Sequence, residues 1–315
     1  MGDQTNSFGH YVPQFILRYF TEKGLVHVYD RETNRYQRKS QAIIAGENAY
    51  YVFTNKQGEQ DDALEKMFQQ IEAHAGRLVR ELHQGKASVT EKEKANLAIF
   101  LAAQYTRVPE SLRTTEEFSI EATKEIIKRL TLITPHFDKT IESIEQERGI
   151  TISDETKEAT RKIAVDKTYN VSLSKEYKFD TMMKLMKGFY NLMYQMEWIV
   201  LAAPKDKSFI LSDHPVFTFN PKPEGYWGGT IGLMALNCET TAVLTPKIAI
   251  YLSQNLNSAS VKFVDVPSDL VDNINLRTAI CSSRFVFSHS LPLVRQIVER
   301  TRLGERPPYS QVSVG

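Results

Sequence analysis

Four side chains in this sequence join acid–base chemistry to apolar surroundings: His10, Glu72, Arg107 and Asp213. His10 opens His10-Tyr-Val-Pro-Gln14, polar groups set against the apolar run Phe15-Ile-Leu-Arg-Tyr-Phe20. Imidazole titrates close to neutrality, so it can act as a general base or as a metal ligand. Glu72 follows Glu65 by two helical turns, which puts both carboxylates on one flank of a helix beside Phe68 and Val79. Arg107 follows an apolar helix and cannot be buried alone without a cost of several kcal/mol, so it should meet a carboxylate or hold an anion. Asp213 and His214 stand where Phe209-Ile-Leu-Ser-Asp-His-Pro-Val-Phe217 is interrupted before Pro215. At a strand end a carboxylate beside an imidazole is an acid–base pairing; the plainer reading is a turn capped by Asp213.

Gln14, Gln104, His214 and Asn275 are the expected substrate-holding groups. Gln104 shares a helix face with Leu97, Phe100 and Leu101, so it needs partners if buried. His10, Glu72 and Asp213 form the expected ligand set, and their oxygen and imidazole donors suit Mg²⁺ or Mn²⁺ better than a thiolate-loving metal. Together these residues lead to a hydrolase, a phosphodiesterase or nuclease acting on nucleic acid or nucleotide, with Arg107 steadying the anionic transition state. By analogy such a protein would serve as an intracellular toxin or phage-defence effector. The rival expectation is a non-catalytic binding module whose polar cluster is a buried network, with the Met-rich stretch 182–196 as a protein-contact face.

No phosphate loop, dinucleotide fingerprint, Gly-x-Ser-x-Gly, His-Glu-x-x-His or Cys-x-x-Cys occurs. Asp138 with Glu155-Thr-Lys157 has the spacing of a metal-dependent nuclease core, but that core needs strands and this stretch reads as helix.

These residues need elements to position them. Phe15–Phe20 reads as a short helix after Pro13, and residues 25–29 and 35–39 as a hairpin around Asp30-Arg-Glu-Thr-Asn34. A strand is expected at 49–54. From 62 to 83 apolar residues recur every three or four positions, the stripe of an amphipathic helix, with Glu65 as the capping partner of Asp62. Thr90-Glu-Lys-Glu93 starts the next helix with a capping box, and Thr114-Thr-Glu-Glu117 repeats the pattern. Residues 114–203 read as largely helical, with one long helix over 180–203 whose methionines are explained by core spacing alone. Short strands follow at 207–211, 216–219, 241–245, 248–252 and 261–265, then a helix over 268–282, a strand over 284–288 and a disordered tail from about 304. The expectation is one α+β domain over 1–315, a central helical block packed with a mixed or antiparallel sheet of N-terminal hairpin and C-terminal strands.

A net charge of +1 from 39 basic and 38 acidic residues supplies no global field toward nucleic acid or membranes. Two cysteines, Cys238 and Cys281, suit a reducing compartment. No signal pattern or apolar run of membrane-spanning length is present, so the expected location is cytoplasmic, with no membrane partner.

The opening His10-Tyr-Val-Pro-Gln14 with Phe15, Phe20 and Val26-His-Val-Tyr-Asp30 resembles a bacterial and fungal family of unknown function, the DUF4238 type. The likeness continues through Leu64-Glu65, Glu72, Gln104-Tyr-Thr-Arg107, Pro109, Ser212-Asp213, Pro215, Asn275 and Phe285–Ser288. The family more often has Asn where this chain has His214. The resemblance implies no activity, so function rests on the site.

Overall fold

Where Pro13 fixes φ, the chain turns from β1 (Phe8–His10) into the short α1 (Gln14–Leu17) and a 3-10 turn (Arg18–Phe20). The computed structural model describes residues 8–48, 50–51, 53–54, 60–221, 232–235, 238–254 and 260–307. After β2 (Thr21–Glu22), β3 (Leu25–Asp30) and β4 (Arg35–Ser40) form the expected hairpin, closed by Asn34 at φ 53°. The strand expected at 49–54 is not continuous: Tyr50 and Tyr51 lie in a turn between β5 (Gly46–Asn48) and β6 (Phe53–Thr54), and 49 and 52 fall outside the described residues. β6 pairs with β7 (Gln60–Asp61).

The apolar stripe produces α2 (Ala63–His83), and the Thr90 capping box starts α3 (Glu91–Thr106). Thr90 Oγ1 accepts from the Glu93 amide at 3.3 Å while Glu93 Oε2 accepts from the Thr90 amide at 2.8 Å. α3 is apolar nearly all round and packs against α2 and the sheet. The Asp62 cap is not made, for Asp62 pairs with Lys66 instead. Nor does Thr114 start a helix. Pro109 already opens α4 (Pro109–Leu132), since proline suits a first helical position, and Thr114 lies in its interior.

Two compact units result, Met1–Leu112 with Asp180–Gly315 and Arg113–Phe179. The second is helical: most of α4, then α5 (Thr134–Arg148), ended by Gly149 at φ 63°, α6 (Asp154–Val165) and the start of α7 (Lys175–Gln195). Asp138 and Glu155 therefore sit on helices, where they cannot form a strand-based nuclease core; Asp138 pairs with Arg161.

In the first unit α7 stops at Gln195, and the helix expected to reach Ala203 gives way to β8 (Glu197–Ala202). The override is tertiary: Ile199 and Val200 lie between β12 (Ile248–Ser253) and β13 (Val261–Asp265), pairing with both. The sheet order is β10–β11–β12–β8–β13, with β10 (Val216–Phe219) and β11 (Glu239–Val243); only β13 runs parallel to its neighbour. Met182, Met186, Met193 and Met196 are all buried, the core role that their spacing explains.

A second sheet joins the ends of the sequence. β3 pairs with β4 along one edge and with β2 and β14 (Phe285–Ser288) along the other, and β14 carries β9 (Leu211–Ser212), all that forms of the strand expected at 207–211. α8 (Ser268–Ile280) and α9 (Leu291–Thr301) cover it around a core of Tyr29, Ile210, Val286, Val294 and Ile297. The protein is an α+β fold. A 3-10 turn at Leu303–Glu305 buries Leu303, and residues 308–315 of the expected tail lie outside the described residues. Among the described residues no helix is long and apolar enough to cross a membrane.

Candidate functional site

His10 is the last residue of β1 and faces Gly46 across the β1–β5 pair. The amides of Tyr11 and Val12 both donate to the Ala45 carbonyl, at 3.0 and 3.2 Å, which fixes the chain just past the imidazole. The α1 turn then brings Gln14 Nε2 to 3.5 Å from His10 Nε2, and the ring stands edge-on to Phe8 with centroids 4.8 Å apart. His10 opens on a recess of about 260 Å³, walled also by Tyr51, Glu65, Phe68, Gln69, Glu72 and Arg107. Glu65 and Glu72 reach it from one flank of α2. A side chain at Gly9 would stand 3.1 Å from the Tyr51 ring and 3.5 Å from Glu65 Oε2, so strand and helix touch here.

Burial acts on this pair in opposite directions. It lowers the His10 pKa below 6.5, against a smaller pull from the Gln41 main chain and the Glu72 charge. It raises the Glu65 pKa above 4.5, against the Gln69 amide that donates to Oε1 at 3.4 Å. Burial thereby favours the neutral imidazole and moves the carboxyl toward its protonated form.

Arg107, just past the end of α3, is 1% exposed. Its Nη2 donates to Glu72 Oε1 at 2.7 Å, its Nε to the Tyr11 carbonyl at 3.2 Å, and its guanidinium lies 4.9 Å from the Phe68 ring centroid. With the Gln104 amide oriented to suit the network, its oxygen accepts from Arg107 Nε at 2.8 Å and its nitrogen donates to the Tyr11 carbonyl at 3.3 Å. Gln104 therefore braces the arginine from behind. Residues 9–291 match the family model described as "Protein of unknown function (DUF4238)". The chain belongs to this family. Neither a curated protein nor a solved structure matches it.

The other residues expected at the site of this DUF4238 protein are placed elsewhere. Asp213 does not line the recess with His10. Its Oδ1 accepts from the Ser283 amide at 3.0 Å and its Oδ2 from the amides of Arg284 and Phe285 at 2.6 and 3.1 Å, so it holds β14. Burial pushes its pKa up to about 6. His214 is not its acid–base partner: the His214 Nε2 faces Ser283 Oγ at 3.0 Å, and burial pushes its pKa down to about 3. Asn275 clips α8 to the sheet, accepting from the Ile210 amide and donating to the Ser208 carbonyl, both at 2.8 Å. The expected metal set is likewise not assembled. Among the described residues no three His, Cys, Asp or Glu side chains converge to hold an ion, and the Asp213 oxygens are taken by amides. Both cysteines are buried, and they form no disulfide with each other.

Glu65 is the member that sequence reasoning assigned to another task. Its position seven before Glu72 was the signal, and the Asp62 cap that would have explained it does not form. Tyr51 and Gln69 carried no sequence signal at all.

Proposed function

We propose that this protein is a hydrolase that works by general acid–base catalysis in the recess between β1 and α2. The observation that carries the reading is that His10 and Glu65 wall the same 260 Å³ space while burial drives their pKa values toward each other. Two titratable groups moved by burial away from their ordinary pKa values in one cavity are a marker of a functional site. His10 takes a proton from water as the water attacks the electrophilic centre, and protonated Glu65 gives its proton to the departing oxygen. The proton on His10 then returns to Glu65 through solvent, leaving the pair as it began. Glu72, held by Arg107, is the negative charge that stabilises the imidazolium in between. Gln14 and Gln69 hold the substrate, and Arg107 positions Glu72 and does not touch the substrate.

A phosphate ester or anhydride is the bond class that fits best, because Arg18 and Arg80, which line a groove adjoining the recess, meet no carboxylate among the described residues. The test is turnover of bis(p-nitrophenyl) phosphate by wild type, His10→Ala and Glu65→Gln. Both variants should lose about 10²-fold or more, the usual share of general acid–base catalysis, with an unchanged melting curve. The reading fails if wild type cleaves neither this diester nor a carboxylic ester, or if His10→Ala turns over as fast as wild type.

A further inference from the structure

The recess does not account for a larger groove beside it, about 660 Å³, which shares Gln14, Gln69 and Glu72 with it and extends over Phe15, Arg18, Tyr19 and Arg80. Two features of this groove point to a ligand. The first is charge. Arg77, one turn before Arg80 on α2, pairs with Glu81, and Arg107 pairs with Glu72. The guanidinium groups of Arg18 and Arg80 meet no carboxylate among the described residues, although both line the groove. Glu72, the carboxylate in the lining of the groove, is paired with Arg107. The second is shape. Phe15 is backed by Phe100 at a centroid distance of 5.4 Å and Tyr19 by His83 at 4.9 Å, so both rings are held from behind. Gly76 lies against the Phe15 ring, within van der Waals reach of its edge.

We propose that this groove is the binding subsite for a mononucleotide, and that it delivers the phosphate end of that ligand to the His10–Glu65 recess. The second half rests on the hydrolase reading; the first does not. Guanidinium groups take phosphate oxygens through paired N–H donors, and fixed aromatic faces take a planar base by stacking. The volume lies in the range of small-molecule sites. A polymer is a poorer fit. Nucleic acid is held by a track of cations that release counterions, and the groove offers two arginines, Arg18 and Arg80, that meet no carboxylate among the described residues, on a protein of net charge +1.

The experiment is calorimetric titration of the full chain with ADP, adenosine, inorganic phosphate and a short single-stranded DNA. The proteins are wild type, His10→Ala and the double variant R18Q/R80Q, whose two positions are both exposed and so leave the fold intact. ADP should bind wild type at least about tenfold more tightly than adenosine or phosphate alone, more weakly as salt rises, and at least about tenfold more weakly to the double variant. His10→Ala should still bind ADP more tightly than R18Q/R80Q does, since both arginines remain. The inference is overturned if ADP does not bind, if R18Q/R80Q binds it as well as wild type, or if the DNA binds more tightly than ADP. ADP binding without turnover of any ester would remove the hydrolase reading and leave the subsite standing. Ester turnover without ADP binding would do the reverse.

Discussion

Arg107 Nη2 sits 2.7 Å from Glu72 Oε1, with the arginine side chain 1% exposed and the glutamate 24%. The pair ties the end of α3 to the middle of α2, and the same guanidinium reaches back to the Tyr11 carbonyl beside His10. Stability and site geometry therefore run through one side chain. Arg107→Ala leaves the Glu72 carboxylate and the Gln104 oxygen without their donor and should destabilise the fold by about 3 kcal/mol or more, as when one partner of a buried pair is removed. Glu72→Gln keeps an acceptor for the arginine and should cost less, while lowering turnover. Urea denaturation of the two variants checks the order; equal losses would mean that the network does not centre on Arg107.

The opposite shifts of His10 and Glu65 set the pH profile. Activity needs the imidazole unprotonated, so the acid limb falls below 6.5, and it needs the carboxyl protonated, so the alkaline limb begins above 4.5 but is displaced upward by burial. A bell with its maximum on the acid side of neutrality is expected for kcat/KM. Glu65→Gln should abolish the alkaline limb and keep the acid one. A profile rising without a maximum into alkaline solution would assign the proton donor to another group.

Much of this was legible in the sequence. The 3-and-4 spacing of α2, the Thr90 capping box and the turn residues of the β3–β4 hairpin are local codes that form the elements they announce, whereas the capping patterns at Asp62 and Thr114 do not, because Asp62 pairs with Lys66 and Pro109 already opens α4. The grouping of His10 with Glu72 and Arg107 was also legible, because each is a polar group whose neighbours in sequence are apolar. Asp213, His214 and Asn275 satisfy the same criterion, yet their partners are main-chain amides and carbonyls and the Ser283 hydroxyl, about 70 residues away along the chain, which no spacing announces. The stretch 197–202 misled for a related reason. Its methionine-led pattern continues the helix, and only pairing with β12 and β13 makes it a strand. α9 was overlooked although Ser290 caps it and Val294, Ile297 and Val298 carry its buried face.

Asp213 should couple stability to pH with a sign opposite to that of most carboxylates. Its pKa is about 6 in the fold against 3.8 for the ordinary group, so the stability it contributes is complete below 3.8 and is lost as pH rises through about 6. At full burial the effect is at most about 3 kcal/mol. Glu93, drawn down to about 2 by Lys86, and Glu125, drawn down to about 2 by Arg129, tilt the whole protein the other way. The relevant quantity is therefore wild type minus Asp213→Asn. That difference in unfolding free energy should shrink between about pH 4 and about pH 7, because only wild type pays for ionising the buried acid. A difference independent of pH would mean that the amides of 283–285 fully offset burial.

Gly46 provides a way to move His10 without changing it. A Cβ at Gly46 would lie 2.5 Å from a Phe8 ring carbon and 2.7 Å from the Gly9 carbonyl, closer than real Cβ contacts, so Gly46→Ala must push β1 away from β5. His10 is the residue opposite, and its ring rests on Phe8. Displacing a catalytic group by about 1 Å costs on the order of 10²-fold in rate, so Gly46→Ala should approach the loss seen in His10→Ala. Gly24→Ala is the control. Gly24 has φ +77° and nothing within 4 Å, so the substitution strains the turn by about 1 kcal/mol without reaching the recess. Turnover should survive Gly24→Ala and collapse in Gly46→Ala at comparable melting temperatures. If both variants keep full activity, the β1–β5 register does not position the imidazole.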